Sequence, residues 1–338
     1  MPSYEDINYA LRPAKTIERK MLADAFHRLS AFASLTSYRY VGFGSTYFSD
    51  FILFHRALGI TNMLSIEKDK SNAGRFEFNV PFDCVKMAYG RSTEVLPTLK
   101  WKTRTIAWLD YDGPLSADVL ADVAFFAANA GSGSVLVVSV NANVADDDAD
   151  EPSADGATGV SVASPEAKTP QAAAERRLHK FKSRVGHTKV PATITSKDMR
   201  KWGIAEVSKR IITNEITETL RARNGALQSD DRVSYSQLFN FHYADRAKML
   251  TVGGVIYAKR EEPRFLQALF EELDFVRMAG DAYSIEVPNL TYREIRSLEK
   301  QMPCGVDSAL YAPGIPNVDV QKYARVYRFF PTFAETDA

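Results

Sequence analysis

The stretch Tyr40–Glu67, YVGFGSTYFSDFILFHRALGITNMLSIE, decides the architecture. Its first residues form a short β-rich run that ends abruptly in glycines. STYFSDFILFHRAL then has the apolar spacing of an amphipathic helix, with Gly59 placed to close it. NMLSIE follows as a second strand, ending in an acidic residue. A strand that turns this sharply into a helix needs glycine where the backbone, or something bound, must pass close. The helix start it leads to presents unpaired N–H groups and the positive end of a dipole.

Gly42, Gly44 and Ser45 form the turn, and Tyr47 stands where a third glycine of a G-x-G-x-x-G run would fall. Without that glycine the tight pyrophosphate packing of NAD or FAD is disfavoured. S-adenosylmethionine (SAM), which carries no phosphate, is compatible with the turn. Glu67 lies about 20 residues further on, at the end of the next strand, where a carboxylate can accept both ribose hydroxyls. Each feature alone has a plain structural explanation: a tight turn, a solvated strand-end acid. Their conjunction points to a nucleotide-type cofactor.

Outward from this stretch the alternation continues. CVKMAYG, TIAWLDYDG and GSVLVVSVNAN read as a third, fourth and fifth strand, with SADVLADVAFFAANA a helix before the last. Strands alternating with helices imply a parallel sheet, and the continuous apolar runs IAWL and VLVVSV fit strands covered on both faces. The fold expected is α/β, a doubly wound, mostly parallel sheet. FNFHYAD and KMLTVGGVIYA are a candidate antiparallel pair that closes it.

Further candidates stand at strand ends. In MAYGRSTEVLP, Met87, Tyr89 and Arg91 could flank an adenine and Ser92 could bond its edge, although ordinary packing explains them equally well. In LDYDG, Asp110 and Asp112 stand where doubly wound sheets bind ligands, and could orient a methyl acceptor or receive its proton. Asn141 is a weaker candidate, with a local turn as the simpler explanation. His55, inside the helix after the turn, reads as a packing or capping residue. RPAKTIER, with Arg12, Lys15, Glu18 and Arg19, could fold over the cofactor as a lid.

These motifs together resemble the class I, Rossmann-like SAM-dependent methyltransferases. VGFGSTYFSDF, IEKD, RFEFN, WLDYDG and MLTVGGVIY are similar, more closely, to a bacterial family of putative O-methyltransferases, over roughly residues 8–260. The resemblance implies that Gly42, Gly44 and Glu67 hold SAM and that Asp110 sits by the methyl group. Three features depart from related groups. Arg91 replaces the acidic residue common after the third-motif glycine. LDYDG lacks the Asn/Asp-Pro-Pro-aromatic signature of amino-methylating DNA enzymes, and the Lys-Asp-Lys-Glu set of ribose methylases cannot be read. No residue specifies oxygen over nitrogen as the acceptor atom.

Composition narrows the rest. Of 338 residues 42 are basic and 42 acidic, so no global field announces a nucleic-acid partner. Cys84 and Cys304 have no metal-type spacing, which argues against structural zinc and for a reducing, cytoplasmic setting. No apolar run is long enough to span a membrane. The expected organisation is an N-terminal helical segment at 1–36, a SAM-binding domain at 37–260 and a small C-terminal appendage at 261–338. Within the middle unit, 145–170 reads as a flexible acidic loop, and 171–225 as a helical, basic insertion roofing the pocket. The stretch 176–189, with Arg176, Arg177, Lys180, His179 and His187, could grip phosphates, but a solvated helix face is the simpler reading. The acceptor is a small molecule or protein on this reading. A nucleic-acid methyltransferase and a non-catalytic SAM- or nucleotide-binding protein are the alternatives.

Overall fold

The computed structural model describes residues 12–143, 170–245, 247–304 and 310–331. Helix α1 (Pro13–His27) starts on a proline, whose fixed backbone angle suits a first turn. Strand β1 (Arg39–Gly42) leads to α2 (Ser49–Leu58), β2 (Asn62–Glu67), α3 (Ala73–Phe78), β3 (Val85–Tyr89) and α4 (Ser92–Val95). Then come β4 (Thr105–Pro114), α5 (Ala117–Asn129), β5 (Ser134–Asn141), α6 (Pro170–Val185) and α7 (Gly203–Asn224). The chain continues through β6 (Val233–Ala244), β7 (Lys248–Ala258), α8 (Glu262–Gln267), β8 (Tyr283–Ile285), α9 (Tyr292–Glu299) and α10 (Asn317–Val326).

The eight strands make one sheet in the order β3-β2-β1-β4-β5-β7-β6-β8. Strands β1 to β5 run parallel, and only β7 is antiparallel to its neighbours β5 and β6. Strand order reverses between β1 and β4, so loops leaving their C-terminal ends diverge and open a crevice there.

Both sheet faces are covered. One carries α1 and α2, whose Ile17, Phe26, Phe51 and Phe54 pack with Tyr40 and Trp108. Phe26 meets Phe54 edge to face at 5.4 Å. The other face carries α5, α6 and α7, with Val123, Phe126, Phe181, Ile204 and Ile212 against Leu136, Val138 and Val252. At about 1.5–3 kcal/mol per fully buried large apolar side chain, these faces hold the helices far more firmly than local helix propensity would.

Several boundaries differ from the sequence reading. The helix after the glycine turn starts at Ser49, because Ser45 and Phe48 both adopt left-handed backbone angles (φ 48° and 47°). Within the expected helical insertion, α7 starts only at Gly203, preceded by a short 3₁₀ turn whose box is closed by Thr195 and Asp198. Thr291 and Glu294 form a capping box at the start of α9. Residues 171–225 do not roof the crevice. Their apolar stripe lies on the sheet beside α5, and no residue from this segment borders the cavity described below. The acidic stretch 145–170 lies outside the described residues, apart from Pro170 at the start of α6. The C-terminal part reaches the sheet through β8, which pairs in parallel with β6 at Tyr283–Ile285.

Candidate active site

At the C-terminal ends of β1, β2 and β4 lies a cavity of about 820 Å³, a size suited to a small-molecule ligand. Of the residues singled out in the sequence, Arg19, Gly44, Ser45, Glu67, Arg91, Ser92, Asp110 and Asp112 border it. Gly42 and Tyr89 do not.

Those two exceptions have physical causes. A Cβ on Gly42 would stand 2.6 Å from the Tyr40 hydroxyl oxygen, so this glycine makes room for the Tyr40 phenol beneath the turn. That phenol donates a hydrogen bond to Asp50 in the first turn of α2. Tyr89 points away: its hydroxyl sits 3.2 Å from both the Ala73 carbonyl oxygen and Glu77 Oε1 on α3. Met87 is likewise packing, beside Phe76. Asn141 makes the local turn, its Oδ1 accepting from the Asn143 amide at 2.7 Å.

The turn itself is tightly built. The Gly44 amide donates to Ser65 Oγ on β2 at 3.0 Å, and the Gly44 carbonyl accepts from the Phe48 amide at 2.8 Å. A Cβ on Gly44 would meet the Phe48 ring at 2.5 Å. Glycine is required here by the fold of the loop itself.

Glu67 ends β2 half-buried, with Oε1 accepting from the Asp69 amide at 3.0 Å. Burial raises its pKa, against the pull of the Asp69 and Lys68 backbone N–H groups. A carboxylate offers about four acceptor positions, so the bonds from its own backbone leave capacity for a diol.

A bulge between Asp110 and Pro114 breaks the register of β4 on β5, a common device for re-aiming side chains beside a site. Asp110, before the bulge, faces inward and is 2.7 Å from Lys15 Nζ. Asp112, within it, is exposed at the cavity rim. Between them Tyr111 turns to the other side and donates to Asp122 Oδ2 of α5 at 2.6 Å. Burial raises the pKa values of both Tyr111 and Asp122. Ser92 borders the cavity at the start of α4.

Lys15 belongs to a network that the sequence reading missed. It is 1% exposed and 2.8 Å from Glu18 Oε2, and it donates to the Tyr243 hydroxyl at 3.1 Å. Its ammonium also lies 4.4 Å from the Trp108 ring centroid. Glu18 accepts from the Thr251 hydroxyl, Thr251 from Ser139 at 2.6 Å, and Ser139 from Trp108 Nε1 at 2.9 Å. RPAKTIER is thus no separate lid. It forms the first two turns of α1, fixed in the core, with its Ala14 and Lys15 amides donating to the distant Asp245 carboxylate. The available signal was Lys15, Glu18 and Arg19 at helical spacing in an otherwise apolar helix.

The basic stretch makes ordinary structural contacts. Arg184 Nε donates to the Leu115 carbonyl oxygen at 2.9 Å, Lys189 pairs with Glu215 at 2.6 Å, and Phe181 and Val185 are buried. His55 Nδ1 lies 2.9 Å from the Ile60 carbonyl oxygen, beyond the end of α2. Among the described residues no cluster of His, Cys, Asp or Glu is placed to hold a metal ion, and no helix is long and apolar enough to cross a membrane.

This strand order, with a glycine turn after β1 and an acid ending β2 at the mouth of one cavity, defines a class I SAM-dependent methyltransferase. Within that class, residues 7–338 match a family described as "Putative O-methyltransferase", and the chain belongs to it. It is an enzyme that transfers a methyl group from SAM to an acceptor. No curated protein matches the chain. Among solved structures it is similar to cofactor-bound Rv0187 from MTB, with 14% identity over 68% of this chain and 78% of that one (TM-score 0.33). It is also similar to Trm1 from Pyrococcus horikoshii in complex with SAM, with 11% identity over 74% and 57% of the two chains (TM-score 0.41). A third is SAM-bound CalS10, an amino pentose methyltransferase from Micromonospora echinaspora, with 15% identity and a TM-score of 0.28. The match covers 35% of this chain and about half, 48%, of CalS10.

Proposed function

We propose that the cavity holds SAM with its ribose on Glu67 and its methionine part over Gly44 and Ser45, and that the methyl group is delivered beside Asp110 to an oxygen or nitrogen of a small-molecule or protein acceptor. One observation carries this reading: Glu67, Gly44 and Asp110, from three different strand ends, border the same cavity.

The lining suits the donor. Asp50, Glu67, Asp69, Asp110, Asp112 and Asp118 are opposed by Arg19, Lys68 and Arg91 alone. Six acids against three bases make a negative basin, which attracts a cationic ligand and repels a polyanion. This balance favours a small or protein acceptor over nucleic acid. The two free cysteines, Cys84 and Cys304, fit a reducing, cytoplasmic setting.

When bound, the donor supplies a methyl group on a positively charged sulfur, which leaves as a neutral thioether. The protein's tasks are orientation, shielding from water and disposal of a proton. Asp110 would accept the proton of an acceptor hydroxyl, or hold that hydroxyl in line, while Lys15 fixes its carboxylate from behind.

Calorimetric titration with S-adenosylhomocysteine tests this reading. Wild type should bind, and Glu67→Ala should bind at least about tenfold more weakly, the equivalent of one lost charged hydrogen bond. Failure of wild type to bind would overturn it.

A further inference from the structure

Arg19 lies one turn beyond Lys15 on α1, borders the cavity and is 7% exposed. Among the described residues its side chain makes no hydrogen bond and no ion pair within 4 Å, and its Nε is buried without a hydrogen-bond partner. Asp50, also on the cavity wall, lies outside ion-pair distance of it and is engaged by the Tyr40 hydroxyl. The field of Arg19 favours the ionised Asp50 carboxylate, but a buried guanidinium whose donors make no hydrogen bond is costly, and folded chains keep one where something else completes it.

We propose that Arg19 is the carboxylate-binding residue of this cavity, its guanidinium taking a carboxylate of the bound ligand in a two-pronged hydrogen bond. A planar monoanion matches the fork of a guanidinium in shape and in charge. A phosphate dianion would face the six surrounding acids, whereas a carboxylate adds only one negative charge, which Arg19 cancels. Two ligands could bring it: the amino-acid end of the methyl donor, or an acidic acceptor. The first source rests on the reading of the cavity as the SAM site.

The test compares S-adenosylhomocysteine with S-adenosyl-3-thiopropylamine, which keeps the amine and lacks only the carboxylate. Both are titrated into wild type, Arg19→Met and Arg19→Lys. If the donor is the source, wild type prefers the carboxylate-bearing ligand by about tenfold or more, a typical charged-pair effect. Arg19→Met then abolishes the preference without weakening the amine. Benzoate, followed by NMR line shifts in protein with and without S-adenosylhomocysteine, tests the acceptor source. Binding of benzoate that Arg19→Met removes supports the proposal through that route. An unchanged preference in Arg19→Met, together with no Arg19-dependent benzoate binding, overturns it. If neither nucleoside binds wild type, the SAM reading fails by itself, and benzoate on the nucleoside-free protein still decides the role of Arg19. Thermal melts establish folding, and Arg19→Lys, which keeps the charge but not the fork, carries the comparison if Arg19→Met does not fold.

Discussion

Lys15 Nζ, on the first turn of the first helix, lies 2.7 Å from Asp110 Oδ1 at the end of the fourth strand. The contact joins residues 95 positions apart and ties the N-terminal helix to the wall where methyl transfer is proposed. Because Lys15 and Glu18 are buried and Asp110 only partly so, each depends on the others for charge compensation.

Lys15→Met should therefore destabilise the protein by about 3 kcal/mol, the usual cost of leaving a buried partner uncompensated. Urea denaturation reads this directly. Adding Glu18→Gln to the same chain should restore part of the loss, because it removes one of the stranded charges. If Lys15→Met proved as stable as wild type, the network would have no structural weight.

Gly44→Ala places a methyl group 2.5 Å from the Phe48 ring and 2.7 Å from Ser65 Oγ. The expected cost is roughly 1–3 kcal/mol from overpacking, together with weaker binding of S-adenosylhomocysteine as the turn shifts. A melting curve and a titration on the same sample check both effects.

Tyr111→Phe removes the hydrogen bond to Asp122, which is 1% exposed. A buried acceptor stripped of its donor costs about 1–3 kcal/mol. Chemical denaturation of Tyr111→Phe and of Tyr111→Phe with Asp122→Asn should show the second change recovering stability.

His242 governs a pH effect away from the site. It stacks on Trp202 at 4.5 Å, and burial, aided by Lys209, pushes its pKa down from 6.5 to about 4. The unfolded chain binds a proton at higher pH than the folded one does, so this group's contribution is complete above about pH 6.5. It is lost as pH falls from there through 4, by up to about 3 kcal/mol. Its Glu206 contact at 3.5 Å is consequently no ion pair at neutral pH. His242→Phe, which keeps an aromatic ring on Trp202, should flatten stability between pH 6.5 and 4.

The sheet was legible in the sequence because its central strands are continuous apolar runs and its turns carry glycine. IAWL and VLVVSV could hardly be anything but strands covered on both sides. Glu67 and Asp110 were legible as strand-end acids, since their position follows from the strand alone. Gly42 was not, because its role is to clear the Tyr40 phenol, a neighbour on the same strand face whose direction only the packing sets. Lys15 and Arg19 read as parts of a lid over the cofactor; the partners that hold Lys15 in the core, Asp110 and Tyr243, come from two distant segments that spacing along the chain cannot reveal. β8 has only three residues, too few for any periodicity. The apolar stripe of α7 was visible, but which surface it covers depends on the path of the whole chain.

The most direct measurement is a crystal structure of the protein with S-adenosylhomocysteine. The account predicts the ribose hydroxyls on the Glu67 carboxylate, the sulfur near Asp110 and the amino-acid half over Gly44 and Ser45. Density for the ligand in another place, or a ribose turned away from Glu67, would contradict it.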